Sequence, residues 1–208
     1  MLVIALSLIG QLAVVFSGRG AILDAAGLIA PLPERLLRFF SYFTIQSNLL
    51  AAGTALGLIQ SPTRDGRLWR VLRADAIVGM TVTFIVYILV LRRIVHLEGA
   101  ARLSDIGFHY VAPALTVIGW LAFGPWPRID SATIVRLFAW PVAYLAYVLM
   151  LGAASGWYPY PFITVSKLGY ARVLLNAALV TLLLLAVAAV YGVLDARRGG
   201  GGAADLVR

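Results

Sequence analysis

Leu168 to Leu194 reads LGYARVLLNAALVTLLLLAVAAVYGVL and holds one charged residue, Arg172. The hydrocarbon core of a bilayer is about 30 Å thick, and a helix rises about 1.5 Å per residue, so about 20 mostly apolar residues cross it. This stretch is long enough. Bounding the other apolar runs by charge, Pro and Gly gives five more: Met1 to Ser17, Leu36 to Gln60, Leu72 to Leu91, Phe108 to Gly124 and Ala132 to Ala153. The expected fold is all-α, a polytopic membrane protein with six transmembrane helices in one bundle over residues 1–194. A disordered Gly/Arg-rich tail is expected over 195–208.

Composition agrees. Of 208 residues 62% are hydrophobic and 12% charged, and mean hydropathy is +0.92. A soluble domain of this size carries about 25% charged residues to solvate its surface, so a water-soluble fold is excluded. The net charge of +8 would suggest nucleic acid in a soluble protein. Here the basic residues lie between apolar runs, where anionic headgroups meet them, so the expected partners are membrane lipids and not nucleic acid. Nine basic residues would lie on the side of the termini and eight on the other. The dense cluster from Arg64 to Arg73 tips the reading toward both termini in the cytoplasm of a multi-pass cell-membrane protein. Met1 to Ser17 has no Lys or Arg in its leading residues and reads as a retained helix rather than a cleaved signal. Ala21 to Pro33 is apolar but short and Pro-interrupted, and is expected at the interface.

No cysteine is present, which removes disulfides, thiolate nucleophiles and Cys-ligated metals. The two histidines, His96 and His109, lack a surrounding carboxylate pattern, so neither a metal nor a cofactor is expected. There is no Gly-rich phosphate loop, GxSxG elbow or HExxH.

Polar groups inside a span are costly unless they face protein or water, so the exceptions to the apolar pattern point to a site. The second run carries Ser41, Thr44, Gln46, Ser47 and Asn48. At 100° per residue Ser41, Thr44, Ser47 and Asn48 share an arc of about 120° that should face the interior, while Gln46 points away. If that helix starts at Leu36, Thr44 lies about 10 Å into it. In the fourth run His109, Pro113, Thr116 and Trp120 share one face, and Pro113 disrupts the bond to the His109 carbonyl. With six spans, Thr44, His109, the loop Trp157 to Pro161, Arg172 and Asn176 all lie near one leaflet, where a shallow polar pocket fits. Each also has a plainer reading. Thr44 can bond back to its own helix, Asn48 and Asn176 can join helices, and Trp157, Tyr158 and Tyr160 can form an aromatic belt. Arg172 can snorkel to headgroups, Arg73 and Asp75 can mark an interfacial helix start, and His96 reads as a solvated loop residue.

FSYFTIQSN at Phe40 to Asn48, the His-x-x-x-Pro of His109 to Pro113 followed by Trp120, and YPYPF through GYARVLLN together resemble the bacterial Pr6Pr family of six-helix membrane proteins. That family is similar to the FAR-17a/AIG1-like intramembrane threonine hydrolases, which cleave fatty acid esters of hydroxy fatty acids. The resemblance implies that Thr44 is the nucleophile, His109 its base, and a lipid ester the substrate. A Thr hydroxyl does need a base, and neutral imidazole serves near pH 7. Asn48 or Ser47 can donate to the oxyanion, and Asp105 can orient His109 if the helix extends that far back. Tyr158, Tyr160 and Asn176 complete the expected supporting or substrate-binding set. The alternative is a non-catalytic protein that binds or transports a small lipid, with His109 as a protonation switch. Distance discriminates. Catalysis requires Thr44 Oγ1 and a His109 ring nitrogen within about 3 to 4 Å or one water apart, and a gap beyond about 8 Å favours binding alone.

Overall fold

The computed structural model describes residues 1–18, 29–94, 96–126 and 128–204, and is all-helical with no β-strand among them. The α-helices among the described residues are, in order, α1 Leu2–Ser17, α2 Leu32–Phe40, α3 Phe43–Gln60, α4 Arg67–Leu89, α5 Gly99–Ile106, α6 Ala112–Phe123, α7 Ser131–Leu137, α8 Ala139–Ser155 and α9 Val165–Ala204, the last interrupted at Gly169 (φ 72°, ψ 161°). Four helical segments are long and apolar enough to cross a membrane: 67–93, 99–123, 131–155 and 165–199. The apolar α1 is shorter. Most of the expected Ala21 to Pro33 interfacial segment lies outside the described residues.

Helix α4 is the axis of the bundle, packed against α3, α6, α7 and α9 and buried almost continuously from Arg73 to Val82. A helix that is apolar on every side belongs in such a central position. Around it, Ile77, Val78, Val82, Trp120, Leu137, Leu184 and Tyr191 form one core, and Tyr87, Val148, Tyr160, Ile163 and Val173 form another toward the opposite end. Outward-facing Leu, Ile and Val side chains stay uncovered along α1, α8 and α9, as lipid-facing surfaces require.

Three expected runs are corrected. The second, Leu36 to Gln60, is two helices: α2 ends at Phe40, and Tyr42 is extended at φ −75°, ψ 129°. At this break the Ser41 carbonyl accepts from Tyr144 Oη at 3.0 Å, and the Ile45 N–H that would continue the helix bonds the Tyr42 carbonyl instead. The buried Ser41 hydroxyl bonds the Leu37 carbonyl at 2.7 Å and Tyr147 Oη at 2.6 Å. The third begins at Arg67, so Arg73 and Asp75 are buried within α4 and do not mark its interfacial start. The fourth extends back to Gly99: α5 passes into α6 through a π turn at Gly107–Val111.

The tail is also corrected. Helix α9 runs on through Ala204, because residues past Leu194 are tied to the bundle. Asp195 is 1% exposed and accepts from the Arg128 and Ile129 amides. Arg198 donates to the Leu121 carbonyl at 2.6 Å and lies over the Trp126 ring. Residues 195–199 are therefore helical where a disordered tail was expected, and 205–208 lie outside the described residues.

Candidate active site

The break between α2 and α3 makes Thr44 the second residue of a new helix, rather than one about 10 Å inside a longer helix. The first N–H groups of any helix lack intrahelical partners and favour negative charge beside them. Here the Thr44 N–H donates to Tyr160 Oη at 3.2 Å. Thr44 is 7% exposed, and its hydroxyl lies 3.2 Å from His109 Nε2 and 3.4 Å from Tyr160 Oη. The first of these meets the distance criterion for proton transfer.

His109 sits at the middle of the π turn. Pro113 has no N–H to give the His109 carbonyl, and the ladder resets with Ala112 N bonding Gly107 O. Gly107 lies against α1, where an added Cβ would meet Ser7 Oγ at 1.9 Å; only glycine lets the π turn approach so closely. Asp105, on the last turn of α5, places Oδ1 2.9 Å from His109 Nδ1, and its backbone carbonyl is 3.0 Å from the same nitrogen. Both are acceptors, so Nδ1 carries the proton and Nε2 presents its lone pair to Thr44. Tyr87 completes the support. Its hydroxyl donates to Asp105 Oδ2, and its ring stacks on the imidazole with centroids 4.0 Å apart and planes 19° apart.

These residues line a cavity of about 420 Å³ that Arg35, Gln11 and Pro159 also border. Tyr160 comes from the loop between α8 and α9, where the YPYPF sequence turns the chain back over the α3 start. Burial pushes its hydroxyl up to about 12, with bonds from Thr44 acting in the opposite direction. It accepts the Thr44 N–H and lies within reach of the Thr44 hydroxyl, so its own proton can point at Thr44 Oγ1 or at oxygen in the cavity.

The structure thus brings together four expected residues, Thr44, His109, Asp105 and Tyr160, and separates the others. Asn48 spends its amide on the Thr44 carbonyl at 2.9 Å and the Phe108 carbonyl at 3.3 Å. It ties α3 to the π turn and does not offer an oxyanion donor. Ser47 is fully buried against Gly79 of α4, where an added Cβ would come within 3.1 Å of its Oγ, and it does not line the cavity. Tyr158 packs on Gly152 so closely that a Cβ there would meet its ring at 2.0 Å. Asn176 donates to the Phe162 carbonyl at 2.8 Å, holding the loop that carries Tyr160. Both support the loop from outside the cavity. Gln46, pointing away from the interior arc, accepts from Trp140 Nε1 at 3.2 Å. Tyr87 is the participant that sequence reasoning missed. A tyrosine near the end of an apolar run carries no local signal of its partner.

Among the described residues no group of three His, Cys, Asp or Glu side chains could hold a metal ion. Comparison with known proteins returns no match to a family model, a curated protein or a solved structure.

Proposed function

We propose that this chain is an intramembrane lipid-ester hydrolase with six membrane crossings, in which Thr44 is the nucleophile and His109 the base. The observation that carries the reading is the directed chain Asp105–His109–Thr44, with links of 2.9 and 3.2 Å. In a triad the carboxylate fixes the tautomer and steadies the imidazolium, while the free imidazole nitrogen takes the hydroxyl proton. The six crossings count α1 and α3 alongside the four longer segments. Both pack with them, and the polar first turns of α3 face protein rather than lipid.

The reaction runs in two halves. His109 Nε2 takes the Thr44 proton as Oγ1 bonds the ester carbonyl carbon, and negative charge moves to the carbonyl oxygen. Tyr160 Oη–H donates to that oxygen, and the α3 N-terminus, whose Thr44, Ile45 and Gln46 amides are already bonded, acts on it only through the helix dipole. Collapse breaks the bond to the alkoxy oxygen, which receives the proton from His109 and leaves as the alcohol, with acyl-Thr44 remaining. Water then gives a proton to His109 and attacks the acyl carbon. The carboxylic acid departs, and the proton returns to Thr44 Oγ1. The resemblance to the Pr6Pr and FAR-17a/AIG1-like proteins supports fatty acid esters of hydroxy fatty acids as the first substrates to assay.

The test is labelling of the purified protein by a fluorophosphonate together with turnover of those esters. Label on Thr44, lost along with turnover in Thr44→Ala, is the expected result. Full turnover by Thr44→Ala and His109→Ala overturns the assignment and leaves a lipid-binding protein.

A further inference from the structure

Thr44 borders a second cavity besides the one that holds His109. This one, about 120 Å³, lies between α4, α8 and α9. Thr44, Tyr160 and Leu91 line both spaces, so the nucleophile stands on the wall between them. The two spaces differ in chemistry. The wider cavity has Arg35, Gln11, Asp105 and His109 on its boundary. The second is walled by aliphatic and aromatic side chains, with Thr and Tyr hydroxyls as its only polar groups. A space of this size with mostly apolar walls accepts hydrocarbon of about benzene size, although the Thr83 hydroxyl on its wall has no partner. Its deep walls include Val82, Val148 and Leu184, all buried. Its mouth is on the outer surface of the bundle, where Val142 is 62% exposed and Thr181 is exposed. Thr181 spends its hydroxyl on the Ala177 carbonyl at 2.8 Å, so no free polar group guards the entrance.

We infer that this cleft is the acyl subsite: the acyl chain of an ester enters laterally between α8 and α9, and the alcohol portion occupies the wider cavity. The inference rests on the reading of Thr44 as nucleophile. About six carbons next to the carbonyl are enclosed, and the rest of a longer chain lies along α8 and α9 in the bilayer. Acyl-Thr44 then forms with its tail already in hydrocarbon, while the alcohol is released on the side of His109, which must protonate it. Selectivity for chain length resides on the acyl side and is set by the α4, α8 and α9 walls.

The full chain, reconstituted in phosphatidylcholine vesicles, is assayed on p-nitrophenyl acetate, octanoate and palmitate, which share one leaving group. Val148→Phe fills the depth of the cleft and Val142→Trp its mouth. Each is expected to lower kcat/KM for octanoate and palmitate at least tenfold relative to acetate. Equal loss on all three esters overturns the subsite. Photolabelling by a fatty acid carrying a mid-chain diazirine reads occupancy without turnover and without a variant. Label on Val82 or Val148, which bulk lipid cannot reach, supports the cleft; label confined to α1, α2 and α5 overturns it. If Thr44→Ala keeps full turnover while Val82 is still labelled, the nucleophile assignment fails and the cleft stands as a lipid-binding site.

Discussion

The two ends of the bundle bury polar groups for different purposes. At the end formed by the start of α3 and the π turn, side chains bond one another in a directed sequence from Tyr87 through Asp105 and His109 to Thr44, and the last member faces a cavity. At the other end Arg73, Asp195 and Arg198 bond backbone, while Arg70 and Arg128 pair with Asp65 nearer the surface. Arg73 donates to the Gly124 carbonyl, Asp195 takes the Arg128 and Ile129 amides, and Arg198 holds the Leu121 carbonyl. Charges spent on main-chain groups pin loops and helix ends. A chain of side chains ending in an accessible hydroxyl can move a proton. Burial alone therefore does not mark the site, since Asp195 is more deeply buried than Thr44; the identity of the bonding partner does.

The sharpest way to break this contrast is Thr44→Ala. It should lower ester turnover by about 10⁵-fold or to background, with no loss of thermal stability beyond a few degrees in detergent. Asp105→Asn comes next. It removes the carboxylate that steadies the imidazolium while the residue 105 backbone carbonyl still accepts from Nδ1, and kcat should fall by up to about 10⁴-fold with KM little changed. If Asp105→Asn keeps wild-type kcat, the directed chain does not carry the chemistry.

Tyr160→Phe should cost about 10²- to 10³-fold in kcat, the range for removal of one oxyanion donor. Burial raises the Tyr160 hydroxyl to about 12. Its neutral form therefore persists below the ordinary tyrosine value near 10 and is lost only as pH rises through the shifted one. The ratio of wild-type to variant kcat should stay constant between pH 6 and pH 10. A ratio that falls toward 1 within that window means that the hydroxyl ionises early and is not so buried.

At the opposite end the expected effect is on stability. Asp195→Ala frees two loop amides and removes a negative charge that acts on Arg73. The cost should be about 3 to 5 kcal/mol in chemical unfolding, with kcat per folded molecule within about twofold of wild type. A large loss of kcat would mean that the two ends are coupled. The smallest effect is at Asp130, which caps α7 by accepting from the Thr133 amide at 2.7 Å. The Thr133 hydroxyl and amide hold its carboxyl below the ordinary value. The cap's stabilisation is thus present above the ordinary carboxylate value and lost as pH falls through the lowered one. Asp130→Ala should cost about 1 kcal/mol near neutral pH.

Much of the helical pattern was legible because burial in lipid imposes a long apolar run, a local property of the chain. The α2–α3 break was not. There the Ser41 carbonyl takes its bond from Tyr144, 103 positions away, in place of the Ile45 amide, and the break turns Thr44 from a mid-helix residue into a helix start. Likewise Pro113 signalled a disturbed helix at His109, but the π turn that accommodates it depends on how closely α1 approaches Gly107.

Asn48 and Tyr160 exchanged expected roles for a related reason. Proximity along α3 made Asn48 look like the donor, whereas the fold gives its amide two carbonyls and brings Tyr160 across 116 positions to the Thr44 hydroxyl. Sequence by itself determined that the chain is helical and apolar, that thiol chemistry is absent, and that a hydroxyl and one imidazole are the groups most out of place in its spans. Those are properties of residue type and local spacing. Only the tertiary structure decided which nitrogen of His109 carries the proton, that Tyr87 and Tyr160 belong to the site, and that Thr44 stands between a polar and an apolar cavity. Each of those depends on contacts between helices far apart in the chain, which no local pattern encodes.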